Sequence, residues 1–284
     1  MDRKLFSLCV SIALGFASTA FAADQEEYSQ PVGKDYPQSV YWGDTHLHTR
    51  NSADAYSIGN RNLTPIDAYR FAQGQEILAH NGMRVRLRRP LDFLVVSDHS
   101  EYLGGYVRFA VGDPLVVNTD AGRQWLQYLK DGDPIKMMTA FTASLADPVN
   151  NYPFSKSTQS TIWQDVAQTA DEHNRPGVFT AFTGYEWTSM INGNNLHRVV
   201  VYKDSAARAA QLPPFTGQDS LDPRDLWAAL ENYEKVTGGE VMAIAHNGNI
   251  SNGMMFPDKS VDGKPLNRAY AEMRARWEPI YEVT

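Results

Sequence analysis

Apolar runs that stop at histidine, aspartate or glutamate recur along this chain, and no other feature limits its fold so strongly. The runs cover residues 40–48, 91–97, 178–186, 197–202, 241–246 and 280–283. Leu91-Asp92-Phe93-Leu94-Val95-Val96 and Val241-Met242-Ala243-Ile244-Ala245 are nearly continuous in apolar residues, as expected of strands covered on both faces. Four of the five leading runs close on His48, His99, Glu186 and His246. Helix-period segments lie between the runs. Thr64-Pro65-Ile66-Asp67 and Asp222-Pro223-Arg224-Asp225 each give an N-cap, a first-turn proline and a first-turn acid. Apolar stripes at Leu226, Leu230 and Tyr233, at Ile162, Val166 and Ala170, and at Leu266, Tyr270, Met273 and Trp277 mark helices that pack on a sheet. Strands alternating with helices predict a β/α barrel or an open doubly wound sheet.

The run ends carry the chemistry. Residues two apart on a strand share a face, so His46 and His48 project side by side and suit one metal ion. A lone H-x-H also occurs on exposed edges, but this pair ends an apolar strand. Asp98 and His99 close the second run, where burial without partners would cost several kcal/mol, on the order of the polar-transfer penalty. Glu186 ends the third run and can bridge two metals. Asn192-Gly193-Asn194-Asn195 is a turn sequence. A hairpin about it would bring His197, at the start of the fourth run, back opposite Glu186. A cross-strand surface histidine is the alternative. His246 closes the fifth run. In β/α barrels the C-terminal strand ends collect the active site.

Other features bound the function. The formal net charge of −7 argues against a nucleic-acid-coating protein. Arg3 and Lys4, an apolar stretch from Leu5 to Phe16, and Ala20-Phe21-Ala22 predict a cleaved signal peptide over 1–22, hence export to the periplasm or medium with no stable membrane anchor. Residues 23–39 read as a polar lead-in to a domain over 40–284. The single cysteine, Cys9, lies inside the signal, which excludes disulfides and thiolate-held zinc from the mature chain. No Walker motif and no G-x-S-x-G is present. Residues 102–160 are too long for a βα loop and read as an insertion over the barrel mouth, either a substrate lid or a packing element. Arg84, Arg86 and Arg88 share one strand face; a solvated edge strand is favoured over an anion grip. His80 and His173 read as loop and helix-end residues.

The ordered set His46-Leu47-His48-Thr49, Ser97-Asp98-His99, Gly184-Tyr185-Glu186, His197 and Ala245-His246 resembles the motifs of the polymerase and histidinol phosphatase (PHP) superfamily of metallohydrolases. Tyr41-Trp42-Gly43-Asp44 and Arg86-Leu87-Arg88-Arg89-Pro90 look closer still to an uncharacterised family of exported bacterial PHP-like proteins. The resemblance spans roughly residues 40–284. It implies a distorted seven-stranded β/α barrel of the PHP, TIM-like type, holding two or three divalent metals. His46 and His48 would share one metal, Glu186 would bridge, and His99, His197 and His246 would serve neighbouring ions. Asp54 stands where some members carry a further ligand, and it reads nearly as well as a turn cap. Asn247 replaces the proline often found after the motif histidine.

The expected activity is metal-dependent hydrolysis of a small phosphate ester by activated water, with Glu186 and Asp98 as catalytic carboxylates and Zn, Mn or Fe as cofactor. An amide or carboxylic-ester hydrolase, or a non-catalytic periplasmic binding module, fits the same ligands. The last run, Ile280-Tyr281-Glu282-Val283, reads as the opening of a sixth strand, which predicts a barrel truncated after that strand.

Overall fold

Each of the six apolar runs forms a strand. In chain order the strands are β1 (Gly43–Leu47), a short hairpin of β2 (Ile77–Leu78) and β3 (Arg84–Val85), β4 (Phe93–Val96), β5 (Thr180–Trp187), a second hairpin of β6 (Met190–Ile191) and β7 (Asn194–Asn195), β8 (Arg198–Tyr202), β9 (Val241–Ala245) and β10 (Ile280–Tyr281). The computed structural model describes residues 37–133, 135–136, 139–140, 143–144 and 154–283. The predicted signal peptide over 1–22 and most of the lead-in lie outside the described residues. Residues 41–284 form one compact unit.

The expected seven-stranded barrel is corrected. One six-stranded sheet runs in the order β1-β4-β5-β8-β9-β10. Its pairs are parallel except at β8, which is antiparallel to both β5 and β9. The cause is local. A parallel return needs a crossover of roughly a dozen residues or more, and residues 188–197 between β5 and β8 hold a hairpin instead. Asn192 and Gly193 take left-handed backbone angles, φ 53° and 78°, as an Asn-Gly turn between β6 and β7 requires. The sheet curls into a half-barrel. Its edge strands, β1 and β10, approach at one rim, where His46 Nδ1 lies 3.0 Å from Glu282 Oε2.

Helices cover the convex face. Pro65–Ala72 has the predicted N-cap at Thr64, and the first-turn acid completes a capping box, with Thr64 Oγ1 accepting from the Asp67 N–H and Asp67 accepting from the Thr64 N–H. Asp222 caps Pro223–Thr237 in the same way, by accepting from the Arg224 N–H. Tyr185, Trp187, Val200 and Tyr202 pack outward against Trp163, Leu226, Trp227 and Leu230 of helices Lys156–His173 and Pro223–Thr237. Leu94, Val96 and Ala181 pack outward against Tyr69 and Ala170. The concave face holds a smaller core of Val95, Val199, Val201 and Ile244, with Phe182 and Met242 beside it.

The insertion begins at Tyr102, buried and held at φ 61°, an uncommon angle for a non-glycine residue. Among the described residues it forms helices Gly105–Val111, Pro114–Val117 and Asp120–Asp131, around an aromatic core of Tyr106, Phe109, Trp125 and Phe154. Helix Lys156–His173 starts before the predicted limit of 160. The arginine run is strand only at Arg84 and Val85, with Arg84 Nη1 paired to Glu76 at 2.8 Å on an exposed hairpin.

Close packing under the site gives one stability prediction. A Cβ on Gly184 would lie 2.4 Å from Val95 Cγ1 and 2.8 Å from the Val200 carbonyl oxygen. Gly184→Ala should cost ~1–3 kcal/mol as an overpacking change. Urea unfolding measures it, and an unchanged midpoint would mean the concave core is looser than described.

Candidate metal centre

Strand alternation selects the site. On each strand, side chains two or four residues beyond the concave core point the same way as that core. Val95 therefore leads to His99, Phe182 and Gly184 to Glu186, Val201 and Val199 to His197, and Met242 and Ile244 to His246. His46 and His48 bring the same face of β1 to the rim. Because β8 runs backwards, a residue at its start joins residues at the ends of its neighbours. Five of the chain's seven histidines thus meet around one carboxylate.

That carboxylate is Glu186, 1% exposed. His197 Nδ1 and His246 Nε2 lie 2.8 and 2.7 Å from its Oε1. His48 Nε2, His46 Nε2 and His99 Nδ1 lie 2.7, 3.4 and 3.5 Å from its Oε2. Each oxygen so faces its own set of imidazoles. Burial opposes charge on Glu186, yet the surrounding imidazoles hold its carboxyl well below the usual range.

Outer partners orient the rings. His48 Nδ1 contacts Asp54 Oδ1 at 3.1 Å and Ser52 Oγ at 3.0 Å, and Ser52 Oγ donates to Asp54. Glu282 does the same for His46, and Thr188 Oγ1 lies 2.7 Å from His99 Nδ1. Burial lowers His48, but hydrogen bonding to Asp54 and Glu186 prevails and lifts it to about 10. Burial pushes His99 down to about 4. Burial likewise works against ionised Asp54, and His48 and His99 outweigh it to hold that carboxyl well below its ordinary value.

The donor set fits divalent cations. His48 Nε2 and Glu186 Oε2 are buried and 2.7 Å apart. With the imidazole neutral, this nitrogen and this oxygen are placed to serve as ligands of one ion. Four triads have ligand atoms all within 4.8 Å of one another: His46/His246/Glu282, His46/His48/Glu186, His48/Asp54/His99 and His99/Glu186/His197. The buried His and Glu groups can therefore hold a metal ion, through nitrogen and oxygen ligands alone.

The family model described as "Protein of unknown function (DUF3604)" matches residues 35–284. The chain belongs to that family. No curated protein matches the chain, and no solved structure matches it. The DUF3604 match spans every residue of the cluster, from His46 to Glu282.

In this DUF3604 chain the candidates His46, His48, Asp54, His99, Glu186, His197 and His246 come together, and Asp98 does not. Asp98 is adjacent to His99 and so faces the other side of its strand. Its carboxylate accepts from the Thr49 N–H at 2.5 Å and from the Thr49 hydroxyl at 2.7 Å, tying the end of β4 to the end of β1. Burial pushes it up to about 6. His173 stacks on Tyr69 with ring centroids 5.2 Å apart, and His80 is exposed, as expected of residues outside the site. Asn247 adopts φ 58°, an angle closed to proline, which accounts for its identity after His246.

Sequence reasoning missed Ser52, Glu101, Thr188 and Glu282. Glu101 is buried beside the cluster, with Oε1 accepting from the Gly217 N–H at 2.5 Å, and burial raises it to about 7. Its only signal is its place two residues after His99.

Proposed function

We propose that this chain is a PHP-like metal-dependent hydrolase acting on phosphate esters, with two divalent ions in the cluster. The observation that carries the proposal is Glu186, whose two oxygens face separate imidazole sets as a bridging carboxylate does. The triads His46/His48/Glu186 and His99/Glu186/His197 share only Glu186, which supports two ions. Bound cations of this kind supply Lewis acidity to a phosphoryl oxygen and lower the pKa of water toward neutrality. Glu282 and Asp54 hold His46 and His48 with Nε2 toward Glu186, and such partners fix ring orientation at metal sites. Asp98 acts as a positioning residue through Thr49. His99 and His197 also line an adjoining cleft of ≈ 850 Å³, which gives a substrate access to the cluster.

The experiment is metal analysis of the purified chain, followed by turnover of 4-nitrophenyl phosphomonoesters, phosphodiesters and carboxylic esters before and after chelation. Bound Zn, Mn or Fe with chelator-sensitive phosphate release is expected. Turnover of carboxylic esters alone would replace this reading with the esterase one. Metal-free protein with full activity would overturn the site altogether.

A further inference from the structure

The cleft beside the cluster is far larger than a phosphoryl group needs, and most of its walls are apolar. It measures ≈ 850 Å³, near the upper end of the roughly 300–1,000 Å³ typical of small-molecule pockets. One wall is helix Ala53–Ser57 with Ile58, supplying Tyr56 and Ile58. The facing wall comes from the insertion, through Tyr106, Leu126 and Leu129. Ile58 is 86% exposed although it borders the cleft, so an apolar side chain stands in water there. The floor is the metal centre, at His99 and His197.

Charge in the cleft selects among apolar ligands. Arg61 and Lys130 both line it, and neither is paired with a carboxylate among the described residues; Arg61 lies 5.6 Å from the Tyr56 ring centroid. The carboxylates that reach the cleft are engaged elsewhere: Asp54 with His48, Asp133 with Lys136 and Glu101 with the Gly217 N–H. The cleft therefore offers two cationic side chains without direct ion pairs among the described residues, beside apolar walls that end at the candidate metal centre.

We infer that the insertion builds a specificity cleft for phosphate esters of bulky apolar alcohols, the phosphate lying at the His99 and His197 end and the apolar body between Ile58 and Leu126. The inference rests on the phosphate-ester reading and narrows its substrate class. It also gives the insertion a role in substrate binding.

The test is calorimetric titration of the metal-loaded protein with ethyl, butyl, hexyl and octyl phosphate, all below their micelle concentrations. Affinity should rise roughly two- to fourfold per added methylene, the range expected for burying a CH₂ group. From ethyl to octyl, six methylenes, that amounts to roughly sixtyfold or more. Ile58→Asp and Leu126→Asp should each flatten the series while metal content stays constant. Ile58 is exposed, so its variant is expected to fold normally whatever happens at Leu126. Affinity independent of chain length, or a slope unchanged in both variants, overturns the inference. The two readings fail separately. Graded binding without phosphate release from octyl phosphate and without hydrolysis of octyl 4-nitrophenyl phosphate removes the phosphoesterase reading and keeps the cleft. Hydrolysis of the ethyl and octyl diesters at equal kcat/KM removes the cleft and keeps the activity.

Discussion

Glu186→Gln should strip the protein of metal and of activity while leaving it folded. The substitution keeps the shape of the side chain and removes the charge on which five imidazoles converge. Losing an outer partner of a metal ligand typically costs about 10–100-fold in affinity. Losing a bridging carboxylate should cost more than about 100-fold. Elemental analysis after dialysis at fixed free metal is the measurement, with far-UV circular dichroism to establish the fold. His173→Ala is the control, because that ring stacks on Tyr69 outside the cluster and should change neither quantity. A Glu186→Gln protein with unaltered metal stoichiometry would show that the ions, if any, sit elsewhere.

The largest loss of stability should come from Glu278→Ala. Glu278 is 2% exposed and accepts from Arg198 Nε at 2.9 Å, Trp227 Nε1 at 2.8 Å and Arg274 Nε at 3.0 Å. Arg198 is itself 1% exposed, on the outward face of β8. Removing the carboxylate strands a buried guanidinium, a change that costs about 3–5 kcal/mol. In a domain of this size that lowers the melting temperature by roughly 10 °C. Replacing both partners, as Arg198→Met with Glu278→Leu, should recover part of the loss, because the stranded charge is gone. A melting temperature within a degree or two of wild type for Glu278→Ala would mean that solvent reaches Arg198 and the network carries little.

Much of this arrangement was legible in the sequence, because alternation along a strand is a strict rule. With the apolar runs as strands, the pairing of His46 with His48 and the strand-end places of Glu186 and His246 follow directly. The Asn192-Gly193 turn similarly placed His197. The same rule, applied to Asp98, separates it from His99, since neighbours on a strand face opposite sides; placing both in the site took the motif as a unit and overlooked its geometry. The sheet order was harder to see. That β8 reverses direction follows from the short span before it, and this reversal makes the sheet mixed; the expected barrel fails because the six-stranded sheet ends at β1 and β10 without pairing them. Glu282 was out of reach for another reason. Its contact with His46 depends on the curl of the whole sheet, and no local pattern encodes that curl. The insertion's contribution to the cleft is likewise tertiary: Leu126 and Leu129 look like ordinary amphipathic-helix residues until the helix is docked.

The pairing of His46 with Glu282 has a consequence for how the protein matures. The two residues are 236 positions apart, and contacts of such separation form late because their loop-closure entropy must be met first. Before that, the growing chain already presents His46 and His48 two residues apart, with Glu186 and Glu282 still to come. An early-captured ion would therefore bind in the wrong geometry, and faithful loading has to follow the closing of the sheet. Metal held there would then act as a lock on the finished fold, deepening its stability with the logarithm of free metal over the dissociation constant.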